Sequence, residues 1–485
     1  MARLDRLGAA KEVAQIGAVL GREFSHALLA AVDRKPEAEL QLALDRLIAA
    51  GLLFRHGVPP HATYLFKHSL VQDAAYGTLL REPRRALHSR IVDVLDSQFT
   101  EIRESQPEVL ARHCTEAGLI EKAVALWGKA GQRSLQRSAA VEASEQLTRA
   151  VSQIALLPPS PALRRQEITC QVALANALMH TKGYAASETR STFDQARLLI
   201  ERAEALGESP EDPLLLFSIL YGFWVANFVA FNGEALRKLA AQFLALAEKQ
   251  AASGPIMIGH RLMGTSLAYT GNLVKGIAHY DTAFALYDPA KHRALATRFG
   301  QDVSVVILSL RAFSLWLLGY PDQARADAEG ALTNAREIGH AVTLMYALLN
   351  AAVLHIHRGN YQEANSFDNE LAMLAEQADA PFYKAVSEAH RGCIFSLTGN
   401  PSPAVDTITS GVRAWRLTGA TLWMTMFLPH LATAYAESGQ FDDAWRCIRE
   451  ADTFVETTKE RWWEAEVQRT AGEIALQSCG NMLSL

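Results

Sequence analysis

The chain has 485 residues, of which 49% are hydrophobic and 20% are charged, and its formal net charge is −5. This composition supplies enough apolar side chains for several buried cores and excludes a disordered chain. The net negative charge argues against a bulk nucleic-acid binder, although it leaves room for local basic patches. The five cysteines at 114, 170, 393, 447 and 479 are scattered and include no Cys-x-x-Cys pair. This pattern argues against a disulfide framework and a zinc site, and it indicates a reducing compartment. We therefore expect a cytoplasmic protein.

The first hundred residues combine helices with a short β-hairpin. In chain order, the pattern predicts helices over 9–20, 23–32 and 36–50, β-type runs over 52–55 and 62–67, and a helix from about Ser69. Pro36 before the third helix and Gly51 after it follow the usual preferences of helix ends. Three helices, a hairpin and a following helix predict a winged-helix domain over 1–100.

Residues 214–231 carry no charge over 18 positions, which is long enough to span a bilayer. However, Asn227 lies inside the segment and no Lys/Arg cluster flanks it. A buried repeat helix explains the segment as well, so we expect no membrane partner.

An internal repeat governs the rest of the chain. A glycine recurs every 40 residues and an alanine stands five residues after each one, giving the pairs Gly319/Ala324, Gly359/Ala364, Gly399/Ala404 and Gly439/Ala444. The glycines predict helix-ending caps with positive φ, and the alanines predict close helix approach. Weaker copies are at Gly118, Gly183, Gly233 and Gly271. A period near 40 predicts stacked helix pairs, so the chain is mainly α, with a winged-helix domain followed by a tetratricopeptide-like α-solenoid.

Several segments also resemble a known family. Leu65–Tyr76 (LFKHSLVQDAAY) resembles the winged-helix segment of signal-transduction ATPases with numerous domains, and 110–127 resembles the first of their tetratricopeptide-like repeats. Segments 259–266, 315–324 and 460–466 are similar to the C-terminal half of bacterial proteins that join a class III adenylate/guanylate cyclase, an AAA-type ATPase and a tetratricopeptide tail. The resemblance implies a winged-helix tail of an ATPase module over 1–100, the first repeat helices over 101–157, and the solenoid over 158–480.

The chain departs from that family in its catalytic motifs. Gly271–Gly276 (GNLVKG) lacks the Lys-Ser/Thr pair of a phosphate loop, and no strand carries a metal-binding aspartate pair. We therefore expect no catalytic residue, metal or cofactor in this chain, which resembles a separately encoded or truncated regulatory half. The alternative is that it is the C-terminal portion of an enzyme of the cyclase or ATPase type.

His68 is the candidate nucleotide-contacting residue. In the resembling ATPases, a histidine at this winged-helix position contacts a phosphate of the nucleotide, and an imidazole N–H is a suitable donor for such a contact. The alternative is a purely structural role, with the ring satisfied by a backbone carbonyl. In either case Leu70, Val71 and Ala74 are expected to pack inward at helical spacing.

The expected function is a regulatory, protein-interaction module of a signalling ATPase or cyclase. The solenoid groove would bind a protein partner or a sensory input, with Trp462 and Trp463 as a candidate anchor, and a core acting in trans is a further partner. The aromatic pair has the alternative of packing on the last repeat, and a small molecule is the next candidate input. DNA binding through the winged helix is a third function, but the helix 36–50 carries three acids against Arg46, which disfavours contact with phosphates.

Overall fold

The computed structural model describes residues 8–184, 186–208 and 212–483, and about 79% of the chain is helical. Contacts divide the chain into two compact units. The N-terminal unit consists of Met1–Ala130 and Gln146–Pro159, and the repeat unit consists of Gly131–Glu145 and Ser160–Leu485. Most of the segment 101–157 therefore belongs to the N-terminal unit.

The N-terminal unit begins with a small α/β arrangement. Its elements are α1 (Ala9–Leu20), β1 (Glu23–Ser25), α2 (His26–Asp33), α3 (Glu37–Ala49), β2 (Leu53–His56), β3 (Thr63–Phe66) and α4 (Ser69–Gly77). The strands form an antiparallel sheet in the order β1-β3-β2, with Glu23 opposite Leu65 and Leu53 opposite Phe66. The sheet therefore has three strands where the sequence predicted a two-stranded hairpin.

The predicted helix over 23–32 is wrong in its first turn, where β1 replaces it. Ser25 is extended, and its hydroxyl accepts the backbone N–H of Leu28 at 3.2 Å, so it is the N-cap of α2. Phe24 turns inward against Gly17 of α1, where a Cβ would lie 2.6 Å from the Phe24 ring. The N-cap and the buried ring together end the strand and start the helix.

Helices complete the unit. They are α5 (Arg81–Gln98), α6 (Thr100–Ser105), α7 (Pro107–Ala117), α8 (Ile120–Gln136) and α9 (Ala140–Ile154), of which α8 and α9 extend into the repeat unit. Helix α7 ends at Gly118, which has φ 76°, and the guanidinium Nε of Arg85 in α5 donates to the Ala117 carbonyl at 2.8 Å.

The repeat unit is built from antiparallel helix pairs. The helices are α10 (Pro161–Thr181), α11 (Ser187–Ala205), α12 (Leu215–Val229), α13 (Gly233–Lys249), α14 (Ser253–Tyr269), α15 (Leu273–Ala285), α16 (Pro289–His292), α17 (Ala296–Phe299), α18 (Val303–Leu317), α19 (Pro321–Ile338), α20 (Ala341–His357), α21 (Tyr361–Gln377), α22 (Pro381–Leu397), α23 (Pro401–Leu417), α24 (Met424–Glu437), α25 (Phe441–Thr458) and α26 (Glu464–Leu483). A 3₁₀ turn at Arg293–Leu295 joins α16 to α17, and these short pieces account for the longer spacing between Gly271 and Gly319.

Two series of left-handed caps set the repeat. The first is the predicted one: Gly319, Gly359, Gly399 and Gly439 have φ between 72° and 86°, and Ala324, Ala364, Ala404 and Ala444 are fully buried. The second series ends the other helix of each pair, at Gly339, Asp379, Gly419 and Lys459, with φ between 46° and 79°. It also has a period of 40, but two of its four members are not glycine, so glycine spacing alone did not show it.

The predicted repeat copy at Gly233 is out of register. Gly233 is the first residue of α13, and the Asn232 side chain accepts from the backbone N–H of Ala235 as the N-cap. The positive-φ position is Phe231, which precedes Gly271 by 40 residues. The period therefore holds, with phenylalanine in place of the glycine.

Among the described residues, no single helix is both long and apolar enough to cross a membrane, although the bent pair 289–299 with 303–317 passes that test by composition. The uncharged segment 214–231 forms α12, only 15 residues long and buried along most of its length.

Candidate functional site

His68 lies at the surface of the N-terminal unit. It is the extended residue before α4, its side chain is exposed, and its carbonyl accepts the N–H of Val71 at 3.0 Å. Leu70 is 77% exposed, so the expectation that it packs inward is wrong. Val71 and Ala74 are half-buried, and the fully buried residue of this helix is Ala75. Helix α4 docks through the opposite face and leaves His68 and Leu70 accessible.

Both rings of the tryptophan pair are buried in the repeat unit. Trp462 and Trp463 are 7% and 5% exposed, and the Trp462 indole N–H donates to Glu460 Oε1 at 2.9 Å. The Trp462 ring lies 4.9 Å from Phe313 and 5.6 Å from Tyr269, centroid to centroid. A partner anchor needs an exposed ring, so this placement does not fit that role and instead makes the pair part of the core.

The repeat unit closes on itself. The backbone N–H groups of Thr421 and Leu422 both donate to the Val229 carbonyl at 2.9 Å, and the Thr421 hydroxyl donates to the Ala230 carbonyl at 2.6 Å. The Arg461 N–H likewise donates to the Tyr269 carbonyl at 3.0 Å. The loops that precede α24 and α26 therefore bind the ends of α12 and α14, early in the unit.

Closure changes the predicted groove. The sequence predicted an extended concave surface, but the inner faces of the first helices of successive pairs meet around a small cavity of about 50 Å³. Large side chains fill the remaining space, since Tyr221, Trp224, Phe382 and Tyr383 are each less than a tenth exposed. The interior is consequently a packed aromatic core with a residual cavity, because bulky residues occupy the inner face.

Most residues that line the cavity come from the inward-facing side of the first helix in each pair. Each helix contributes residues from one face, at helical spacing: Tyr221, Trp224, Val225 and Phe228 from α12; Arg261, Thr265 and Tyr269 from α14; Val306 and Leu310 from α18; Tyr346, Leu349 and Asn350 from α20; Phe382 and Tyr383 from α22. Leu422 and Trp423 from the closing loop complete the wall, together with Tyr184, Val229 and Gln301.

Arg261 is the one charged side chain among these lining residues. It is 3% exposed, and its Nε and Nη2 have no hydrogen-bond partner. The guanidinium carbon lies 5.2 Å from the Tyr221 ring centroid, a cation–π contact. Among the described residues no carboxylate forms an ion pair with it. The cavity therefore contains an uncompensated positive group.

The tyrosines around Arg261 are neutral hydrogen-bonding groups. Burial raises the pKa of Tyr184 and Tyr346 well above the ordinary value, and it raises the pKa of Tyr383 to about 12. The Gln301 amide donates to the Tyr184 hydroxyl at 3.4 Å, and the Asn350 amide donates to the Tyr346 carbonyl at 2.9 Å. The polar part of the wall therefore offers hydroxyls and amides beside one cation.

Trp423 has a strained backbone at this wall. Its φ is 68°, which is rare for a bulky residue, and its N–H donates to Glu460 Oε1 at 2.8 Å. Glu460 is fully buried, and burial raises its pKa to about 7. One carboxyl group thus holds both Trp423 and Trp462 at the closing loops.

Among the described residues, no group of three or more His, Cys, Asp or Glu side chains could hold a metal ion. Burial raises the pKa of the Cys114 and Cys447 thiols to about 11 and that of Cys170 to about 12, so these groups are protonated at neutral pH.

Sequence reasoning missed Arg261 and the tyrosines that surround it. Arg261 stands in the segment 259–266 that carries the family resemblance, within an otherwise apolar helix. A charged residue on the buried face of such a helix was the available signal. This signal indicated a charge in the interior. The residues that surround Arg261 lie up to about 160 positions away in sequence, so only the fold shows which they are.

No family model matches the chain. An uncharacterised protein of Rhizobium meliloti (strain 1021) is 27% identical over 479 residues, which cover 96% of this chain and 45% of that protein. The chain therefore spans less than half the length of this relative.

Solved structures with a similar fold are tetratricopeptide-like helical repeat proteins. A Rap protein complexed with Competence and Sporulation Factor has a TM-score of 0.50 at 13% identity, covering 73% of this chain and 99% of that chain. NprR in complex with its cognate peptide NprX has a TM-score of 0.48 at 12% identity, covering 75% and 98%. A signal transduction ATPase with numerous domains and a tetratricopeptide repeat sensor, from Pyrococcus horikoshii, has a TM-score of 0.35 at 15% identity, covering 84% and 63%. At 13% identity the likeness to the Rap protein concerns the fold, and it confirms the prediction of helical repeats.

Proposed function

We propose that this chain is a non-catalytic regulatory module of a signalling ATPase or nucleotide cyclase. In this proposal the repeat unit receives a protein partner or other input, and the N-terminal unit contacts the nucleotide-binding core, in cis or in trans. The observation that carries it is the helix-pair repeat unit itself, an architecture that commonly provides binding surfaces for proteins and peptides. The cytoplasm is the proposed location.

The N-terminal unit supports the second half of the proposal. Its elements follow the order helix, strand, helix, helix, strand, strand, which is the arrangement expected of a winged helix. On its surface His68 is exposed beside Leu70, and Leu80 just beyond α4 is 76% exposed. Exposed leucines next to a polar candidate residue favour a docking face. The Rhizobium relative is more than twice as long as the matched region, which leaves room for a core to occupy that face.

Site-specific photo-crosslinking tests the docking face. A photoreactive amino acid replaces Leu70 in one variant and Leu417 in a control, where the leucine is 81% exposed in the repeat unit. We expect position 70 to crosslink to a chain or segment that carries a phosphate loop, identified by mass spectrometry, and position 417 not to do so. Crosslinking to that core from neither position, or equally from both, contradicts the proposal.

His68→Ala separates a nucleotide role from a structural one. Because His68 is exposed, the substitution removes no buried hydrogen bond, and we expect the melting temperature to stay within about 1 °C of that of the parent chain. When the His68→Ala chain is combined with the phosphate-loop core identified by crosslinking, we expect the rate of nucleotide release from that core to differ from the rate with the parent chain. An unchanged release rate would leave His68 with no part in signalling. ATP hydrolysis or cyclic nucleotide production by the purified chain alone, surviving stringent purification, would overturn the non-catalytic assignment.

A further inference from the structure

Arg261 carries a positive charge in the interior of the repeat unit without a counter-charge bound to it. It is 3% exposed, two of its nitrogens are buried without a partner, and it lines the cavity. A guanidinium keeps its proton in proteins, so the charge cannot be removed by deprotonation. An isolated buried charge is strongly unfavourable unless an opposite charge or several acceptors face it. The described side chains at the cavity supply one aromatic face, from Tyr221 at 5.2 Å, and no carboxylate.

The rest of the wall suits an anion. Tyr346 and Tyr383 carry hydroxyl groups that burial keeps protonated. The side-chain amides of Gln301 and Asn350 lie at the same cavity, and each has a second N–H besides the one that donates within the protein. Hydroxyl and amide donors beside a guanidinium are the usual partners of a carboxylate or phosphate oxygen. Aromatic and aliphatic side chains form most of the remaining wall, and such low-polarity surroundings strengthen an ionic contact.

The cavity size limits the occupant. Its volume of about 50 Å³ is enough for a few water molecules and is well below the roughly 150 Å³ of a cavity that binds benzene. An occupant of this size has a few non-hydrogen atoms. Larger acids would need the surrounding aromatic rings to repack.

We propose that the cavity beside Arg261 binds a small oxyanion, either a monocarboxylate of two or three carbons or inorganic phosphate. Leu422 and Trp423 of the closing loop also line the cavity, so a bound anion contacts both the early helix that carries Arg261 and the loop that closes the unit. Binding therefore stabilises the closed repeat unit. The site goes beyond the proposed function, because it is measurable on the purified chain whether or not a protein partner exists.

Thermal unfolding and titration calorimetry of the full chain test the site. Sodium acetate, sodium pyruvate and sodium phosphate are added separately, at a total ionic strength held constant with sodium chloride. We expect at least one of them to raise the melting temperature with saturation and to give measurable binding heat. The two carboxylates acting together would identify the carboxylate as the recognised group, and phosphate acting alone would identify the phosphate ion.

Three variants locate the binding. Arg261→Met keeps an unbranched apolar side chain in place of the arginine's aliphatic part and removes the charge, and we expect it to weaken binding about tenfold or more. Arg311→Met is the matched control, because the Arg311 guanidinium is already paired with Asp281 and Asp327 at 2.7 Å. It should lower the melting temperature but retain the anion-dependent rise. Tyr383→Phe, which removes only a hydroxyl from the wall, provides a milder second test if Arg261→Met does not fold, and it should also weaken binding.

The melting temperature without added anion gives an independent readout. Removing an unpaired buried charge should leave Arg261→Met at least as stable as the parent chain, whereas Arg311→Met loses two ion pairs. Absence of saturable binding to the parent chain with all three anions would overturn the proposal. Equal binding by the parent chain, Arg261→Met and Tyr383→Phe would also overturn it. Neither outcome bears on the crosslinking at Leu70, so the two proposals can fail separately.

Discussion

At the scale of single residues, Glu460 has the most informative position. It stands one full repeat after Ala420 and two after Ala380, at the start of the segment that leads into the next helix. Where the two preceding repeats have a methyl group, Glu460 has a buried carboxyl whose Oε1 accepts from both Trp423 and Trp462. A substitution within the repeat pattern thus links two closing loops through one side chain.

Glu460 makes the stability of the repeat unit pH-dependent. Its pKa rises from an ordinary 4.5 to about 7 on burial, so the folded chain retains a proton that the unfolded chain has lost. Stability therefore falls as pH increases from about 4.5 to about 7, by an amount on the order of 3 kcal/mol, and changes little above that range. Glu460→Gln keeps an acceptor oxygen and removes the titration. We expect this variant to be more stable than the parent chain above pH 7 in urea unfolding.

The control for that measurement is Glu437→Gln at the end of α24, where the side chain is exposed. This substitution should change stability by no more than about 0.5 kcal/mol at any pH. If the curves of stability against pH for Glu460→Gln and the parent chain run parallel from pH 4.5 to 7, the carboxyl of Glu460 is not the titrating group.

At the scale of helices, the residues with positive φ that end the helices define the 40-residue repeat. The first cap series was readable because it uses glycine throughout, and its positive φ values follow from that choice. The second series was not readable, because Asp379 and Lys459 adopt the same conformation without glycine. Aspartate adopts the left-handed region more readily than most residues other than glycine, whereas lysine seldom does, so only the folded chain shows the cap at Lys459.

Two glycine-to-alanine substitutions separate backbone strain from packing. At Gly399 (φ 72°) and at Gly472 inside α26, an added Cβ meets no atom within 4 Å. Gly399→Ala should destabilise the chain by about 1 kcal/mol, because alanine disfavours the left-handed region. Gly472→Ala should stabilise it by about 0.5–1 kcal/mol, because alanine is the better helix former. Chemical denaturation measures both, and effects of the same sign would contradict the assignment of Gly399 as a strained cap.

At the scale of the repeat unit, closure couples segments that are far apart in sequence. Thr421 and Ala230 are 191 residues apart, yet the hydroxyl of one donates to the carbonyl of the other. Repeat proteins normally contact only neighbouring repeats, and their ends can open independently. Here an early helix and a late loop share hydrogen bonds and an aromatic core, so they should open together.

Hydrogen exchange tests this coupling. Thr421→Ala removes the hydroxyl contact, and we expect a loss of about 1 kcal/mol together with faster amide exchange at the end of α12 as well as around position 421. Thr457→Ala is the control, since its hydroxyl donates only to Thr453 in its own helix. Faster exchange confined to the loop around 421, with α12 unchanged, would show that the two segments open separately.

The sequence by itself determined the class of the fold and the length of the repeat. A fixed 40-residue glycine and alanine pattern requires helix pairs, because both residue types act locally, one by permitting a positive φ and the other by permitting close helix approach. The same local reasoning failed for β1, where the N-cap Ser25 and the burial of Phe24 overrode a helical pattern.

Only the tertiary structure decided what the interior contains. An open groove and a closed core have the same local periodicity, and the difference arises from contacts across the unit, such as those between Thr421 and Val229. The burial of Trp462 and the unpaired charge of Arg261 follow from that closure. Periodicity specifies which face of a helix turns inward, but the groups that meet there come from helices more than a hundred residues apart, so their chemistry is fixed by the packing.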